Sequence, residues 1–252
     1  MVDRDERYPG ARRPNQVGAE EQRVHERHDR FAREVIEGLD VCPFARKCRE
    51  SGRFHRRVFF PKGDRPTAAE IAAALDELVR EHSDCEIALM TFVVDATHRF
   101  HELAGLEAFV SLLRAAWDEL GGPRYYFVAF HPAHSEGDRG GPMTPDRFVT
   151  LLRRTPDPTI QCVNAEILDT ILRRSHLAAQ RRIEKDAERS DDPRLRELMR
   201  NLVVPDPTLS DDIAQRNFDA FAGGEGRERL ERLLAEIAES GRSDRGDGKR
   251  EG

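Results

Sequence analysis

Ile87-Ala88-Leu89-Met90-Thr91-Phe92-Val93-Val94 is an almost continuous apolar run, the pattern of a strand covered on both faces of a sheet. Upstream of it, Thr67 opens a helix with Glu70 three residues on, a capping box ahead of Ile71, Leu75, Leu78 and Val79. Further upstream, Phe54 to Phe60 alternates and is rich in β-formers, and Arg56 and Arg57 place this strand near a sheet edge. Downstream, a helix repeats Leu103, Leu106, Val110, Leu113 and Trp117 before stopping at Gly121-Gly122-Pro123. Tyr125 to Phe130 reads as a third strand. A Gly-rich loop, His131 to Met143, leads to a helix with Thr144 as N-cap and Pro145 at its first position. After Thr155-Pro156-Asp157-Pro158, Ile160 to Val163 adds a short strand, and Asn164 caps a long helix carrying Ile167, Leu168, Ile171 and Leu172. This alternation predicts an α/β fold: a small, mostly parallel sheet of three to four strands, flanked by helices on both faces and joined by right-handed crossovers, with extra C-terminal helices.

Outward from that centre the pattern weakens. An amphipathic helix carries Val24, Phe31, Val35, Ile36 and Leu39 on one face. Residues 1–20 hold charge, proline and glycine without periodicity and are expected to be a disordered tail. Residues 21–183 are expected to form the α/β domain, and residues 184–239 a charged helical extension with amphipathic helices at Ser210 to Phe221 and Arg227 to Ile237. Residues 240–252 read as a second charged, Gly-rich tail.

The chain has 252 residues, 38% hydrophobic, enough for one sizeable core, while 35% charged residues leave part of the length to solvent. A net charge of -6 offers no electrostatic argument for nucleic acid. No apolar run approaches the roughly 18 residues that span a bilayer. Met1 to Arg13 lacks the apolar stretch of a signal peptide, so a cytoplasmic, non-membrane protein is expected. The four cysteines, Cys42, Cys48, Cys85 and Cys162, fit no paired zinc spacing, and a reducing compartment leaves them as thiols. Cys85 and Cys162 sit in apolar runs and read as core residues.

Several residues have chemistry to offer. Cys42, in Val41-Cys42-Pro43-Phe44-Ala45, stands ahead of a proline that can start a helical turn, where backbone N–H groups favour a thiolate. It reads as a nucleophile, a redox thiol or a buried small hydrophobe. The carboxyl ends of the strands, where α/β sheets bind ligands, carry Pro61-Lys62-Gly63, then Asp95 with His98, then His131 with His134. Asp95 suits either a turn or a substrate contact. His131 follows an apolar strand directly and precedes a proline, and suits either a structural role or that of a base. His131-x-x-His134 is a metal-compatible spacing without an evident third ligand, so no metal is assigned. Arg153 and Arg154 precede Thr155-Pro156-Asp157-Pro158-Thr159, where an arginine can hold a carboxylate or phosphate or simply favour a helix end. Gly137 to Gly141 has neither G-x-G-x-x-G nor a Walker lysine, and no cofactor is expected.

Val41-Cys42-Pro43-Phe44-Ala45, Phe130-His131-Pro132 and Arg154-Thr155-Pro156-Asp157-Pro158-Thr159, in this order, resemble the bacterial domain of unknown function 1415 family. That family tends to read L-C-P-F-A, F-H-P and R-S-P-Y-P-T at these places. The resemblance covers roughly residues 25–180 and implies Cys42, Pro43, Phe44, His131, Pro132, Arg154, Pro156, Pro158 and Thr159 as motif positions, with no reaction attached. The chain departs from the family at Val41 for Leu, Thr155 for Ser, Asp157 for Tyr, and Ala133-His134-Ser135 in place of aromatic residues.

Together these readings suit an enzyme acting on a small anionic metabolite, with Cys42 as thiol or nucleophile, His131 as base, Arg154 as anion anchor, and Asp95 and Thr159 as further substrate contacts. The competing expectation is a non-catalytic binding or adaptor protein whose motifs are structural. Oligomeric state is not legible.

Overall fold

The computed structural model describes residues 14–42, 44–134, 144–189, 192–194, 209–221 and 223–246. Pro43 of the cysteine motif and the Gly-rich stretch Gly137 to Gly141 lie outside the described residues.

The chain opens with α1 (Pro14–Phe31), which runs into a π-helical turn, Ala32–Glu37. Proline at the first helical position is favoured because its missing N–H has no intrahelical partner there. The helix therefore already covers residues 14–20, where a tail was expected. The π-turn widens the helix end so that Val41 N donates to the Ile36 carbonyl at 2.9 Å. Asp40, at φ +52°, makes the left-handed step its short polar side chain tolerates.

Next come α2 (Ala45–Glu50), β1 (Phe54–Phe59) and α3 (Ala68–Glu81), whose capping box is present at Thr67 and Glu70. β2 (Ile87–Phe92), α4 (Leu103–Leu120) and β3 (Tyr125–Phe130) follow, with Gly121 at φ +67° closing α4. The remaining elements are α5 (Pro145–Leu152), β4 (Thr159–Asn164), α6 (Ala165–Arg189), α7 (Leu209–Phe221) and α8 (Gly224–Gly246). Asn164 caps α6 as its sequence position predicts, accepting from Glu166 N at 3.0 Å.

The fold is α/β, but the sheet is mixed rather than mostly parallel. Its order is β1-β2-β4-β3; β1 and β2 pair in parallel, and β4 lies antiparallel to both β2 and β3. Helix length supplies the physical reason. A six-residue strand is about 20 Å long. The 14 residues of α3 and 18 of α4 rise about 21 and 27 Å, enough to carry the chain back for a parallel return. The eight residues of α5 rise only about 12 Å, so the chain re-enters the sheet at the end it left, and Thr159 pairs with Phe130.

The β1→β2 and β2→β3 crossovers move in one direction across the sheet, which puts α3 and α4 on the same face. Between them and the sheet lies the main core, with Ala88, Met90 and Phe92, Phe127, Ile160 and Cys162 meeting Ile71, Leu75, Phe109, Leu113 and Trp117. The opposite face is covered by α1, α5 and the C-terminal helices. Phe31, Val35 and Val41 pack there with Phe148 and Leu151 of α5 and Leu230, Leu234 and Ile237 of α8. The C-terminal helices are thus part of the domain, not an extension of it, and α8 continues past Ser240 to Gly246. Among the described residues, no helix is long and apolar enough to cross a membrane.

Candidate functional site

The strand register writes the back face of the sheet in rows. One row is Phe54-Ile87-Val163-Tyr126, the next Arg56-Leu89-Gln161-Val128, and the third Val58-Thr91-Thr159-Phe130. Over these rows the helical layer does not close completely. A cavity of about 330 Å³ remains, floored by Phe54, Arg56, Ile87, Leu89, Val128, Phe130, Thr159 and Gln161. Its walls are His28, Phe31, Ile36 and Glu37 from the first helix, Cys42, Ala45 and Arg49 beyond it, Leu152 at the end of α5, Arg153 and Thr155 after it, and Asn217 of α7. An apolar concavity with a few polar groups is the usual form of a small-molecule site.

Arg56 is the charge on the floor. The alternation of β1 turns it inward with Phe54 and Val58, while Arg57 turns outward to Glu77 and Glu81 on α3. The Arg56 side chain is 4% exposed. Its Nη1 donates to Asp29 Oδ1 at 3.1 Å, while its Nε is buried without a hydrogen-bond partner. Burial pushes its pKa down, and Asp29 opposes that. Guanidinium nevertheless stays protonated in proteins. Asp29, its hydrogen-bonded counter-ion, is half exposed to water, and the buried Asp157 carboxylate adds a second, more distant negative charge. Glu37, by contrast, is gripped by Arg49 through two bonds of 2.6 and 2.9 Å, which hold its carboxyl below the usual range.

At the rim, the Thr155-Pro156-Asp157-Pro158-Thr159 turn is tied to α1. Asp157 accepts from Arg27 Nε at 2.7 Å and Nη2 at 2.8 Å, and from His28 Nε2 at 3.0 Å. Burial works to raise the pKa of Asp157, but the hydrogen bonds from His28 and Arg27 and the charge of Arg27 outweigh it and leave a firm carboxylate. Burial pushes the His28 pKa down, so the ring is neutral and its Nε2–H is the donor. The Thr155 and Thr159 hydroxyls both close on the Asp157 carbonyl, at 2.8 and 3.0 Å.

The residues singled out in the sequence do not converge. Cys42 and Thr159 border the cavity. Burial raises the Cys42 pKa, and the Phe44 and Ala45 N–H groups only partly offset this, so the group is a thiol at neutral pH. His131 lines a second cavity of about 280 Å³ with Arg27, His101 and Asp157. Both its ring nitrogens are used: Nε2 donates to the Phe100 carbonyl at 3.0 Å and Nδ1 accepts from Ala133 N at 3.0 Å. Arg154 lines neither cavity. Asp95 is exposed and bonds Thr97 N at 2.8 Å and His98 N at 3.1 Å, the arrangement of a turn residue. His134 is buried beside the His131 turn. Among the described residues, no three His, Cys, Asp or Glu side chains gather as metal ligands.

Arg56, Asn217, His28 and Asp157 were not singled out. Arg56 read only as an edge-strand charge, although its alternation with Phe54 and Val58 assigned it an inward direction. His28 stood on the apolar stripe between Val24 and Phe31. Asn217 carried no signal beyond being a polar residue in an amphipathic helix. Comparison with known proteins returns nothing: no family model, no curated protein and no solved structure matches the chain.

Proposed function

We propose that this chain is a cytoplasmic small-molecule-binding protein whose site is the cavity over the back face of the sheet, and that its ligand joins an apolar body to an anionic head. The observation that carries this reading is Arg56: a buried guanidinium on a cavity floor, with an Nε–H that has no hydrogen-bond partner and a counter-ion, Asp29, that is half exposed. A carboxylate or similar compact anion would take the unused donor and balance the charge. Phe31, Ile36, Leu89, Val128 and Phe130 supply the apolar surroundings.

Binding is favoured over Cys42–His131 catalysis. The two residues line different cavities, His131 has no free ring nitrogen, and Cys42 is held as a thiol. Thiol chemistry is the second reading, supported by the place of Cys42 on the cavity wall. Membership of the domain of unknown function 1415 family is proposed on the three sequence motifs alone and adds no reaction.

The test is calorimetric titration with octanoate and with octan-1-ol, on the wild type and on Arg56→Leu. Octanoate should bind the wild type, and the substitution should cost about 1.5–3 kcal/mol, the value of hydrogen bonds to a charged group. Equal affinity for acid and alcohol, or no effect of Arg56→Leu on acid binding, would end the proposal.

A further inference from the structure

Asn217 gives the same cavity a second pole. It lies in α7, is 1% exposed and lines the cavity wall. Its Nδ2 donates to the Val41 carbonyl at 2.9 Å. That carbonyl can only accept, so the orientation of the amide is settled by its partner. Oδ1 is left buried with no hydrogen-bond partner. The neighbouring Arg216 also bonds the Asp40 carbonyl, so two consecutive residues of α7 grip the Asp40–Val41 turn. Asn217 is therefore held in place, with its acceptor unused. Buried polar atoms are nearly always paired, so an unpaired acceptor on a residue that lines a cavity is one a bound molecule can satisfy.

The two orphans are of opposite kind. Arg56 Nε is a donor and Asn217 Oδ1 an acceptor, and apolar side chains make up most of the lining of the cavity that both residues border. From this, and resting on the reading of the cavity as an anion-binding site, we infer that the ligand is an apolar acid carrying a second group with a hydrogen to donate, a hydroxyl or N–H, which meets Asn217 Oδ1 while the acid meets Arg56. A plain fatty or aryl acid leaves the Asn217 acceptor unpaired. An ether or ketone at that place sets acceptor against acceptor. Only a donor satisfies both ends, and the loss when a buried partner is missing makes such a site selective.

The test uses three matched acids at each of several chain lengths: hexanoate, octanoate and decanoate, their ω-hydroxy forms and their ω-methoxy forms. Calorimetric titration is made against the wild type, Asn217→Leu and Arg56→Leu. At the best-fitting length the hydroxy acid should bind the wild type about tenfold tighter than the plain acid, with the methoxy acid weakest. Asn217→Leu should erase the ranking while still binding the plain acid. The wild-type ranking stands as a result even if Asn217→Leu fails to fold. If all three acids bind equally and Arg56→Leu weakens all of them, the second pole is wrong and the anion site survives. If the ranking persists in Asn217→Leu, the donor contact lies elsewhere and the inference is overturned. If no acid binds, both readings fall.

Discussion

Substituting Asp157 with asparagine keeps the shape of the side chain but removes its charge and turns one acceptor into a donor. In the native protein, Arg27 brings two N–H groups to this carboxylate and His28 a third, with the Asp157 side chain 3% exposed. After the change, the new amide N–H₂ faces another donor, and the Arg27 charge, on a side chain 11% exposed, has lost its counter-ion. Removing one partner of a buried pair costs about 3–5 kcal/mol. Total stability is about 5–15 kcal/mol, so a large part of it is at stake. At 2–4 °C per kcal/mol for a chain of this size, the melting temperature should fall by roughly 6–20 °C. Thermal melts give the shift in melting temperature, and urea titration followed by circular dichroism, at pH 7 and again in acid, gives the free energy. The acid arm has a definite sign. The folded pKa of Asp157 lies below the ordinary carboxylate value of about 3.9. Its contribution is therefore complete above that value and is lost as pH falls toward the folded pKa. The gap between wild type and Asp157→Asn should be full at pH 7 and narrow in strong acid. A loss below about 1 kcal/mol at pH 7, or a gap that widens in acid, would refute the assignment of this residue as the tie between α1 and the turn.

Arg56→Leu, measured without ligand, should change the melting temperature little, since the partner it leaves behind, Asp29, is half exposed and can be solvated; a large drop would mean that Arg56 serves the fold instead of a ligand. Alkylation of Cys42 by iodoacetamide should stay slow through the ordinary thiol range near pH 8.5 and rise only in stronger base, because burial raises its pKa. Fast labelling at pH 7 would restore the reactive-thiol reading. His55 stacks on His82 with ring centres 3.8 Å apart, and burial together with the His82 ring lowers its pKa. Stability should decline as pH drops below about 6.5, where the unfolded chain takes up a proton that the folded one resists. His55→Phe should flatten part of that decline, and parallel urea midpoints for the two proteins between pH 7 and pH 5 would count against it.

How much was legible depends on which signals were local. The capping box at Thr67 and Glu70, the stop at Gly121 and the Asn164 cap were each written in a few adjacent residues, and each is present. The direction of β4 was not local: it follows from comparing the length of α5 with those of α3 and α4, and the apolar pattern of β4 reads the same in either direction. The candidate site divided in the same way. Cys42 and Thr159 stood out by residue type and do border the cavity, whereas His131 stood out equally and is occupied by backbone partners. Residue type announces a capacity for chemistry, but not whether neighbours already use it. Arg56 shows the converse. Its charge looked like edge-strand protection until α1, contributing Asp29, was laid over it.

The antiparallel β4 also sets the order in which this protein can be completed. Among the described residues β4 is the last strand to be synthesised, yet it occupies an interior position, and it is the neighbour through which β3 joins the sheet. While the ribosome makes residues 131–158, β1 and β2 can already pair, but β2 presents an open apolar edge and β3 has no place to dock. Joining β2 to β4 then closes a long stretch of chain, with Ile87 meeting Val163, a non-local step of the kind that slows folding. Open strand edges in that interval are templates for pairing with another nascent copy. A chain cut short before Thr159 is left with two unjoined pieces of sheet, and the interval before β4 arrives is when a holding chaperone has the most to protect.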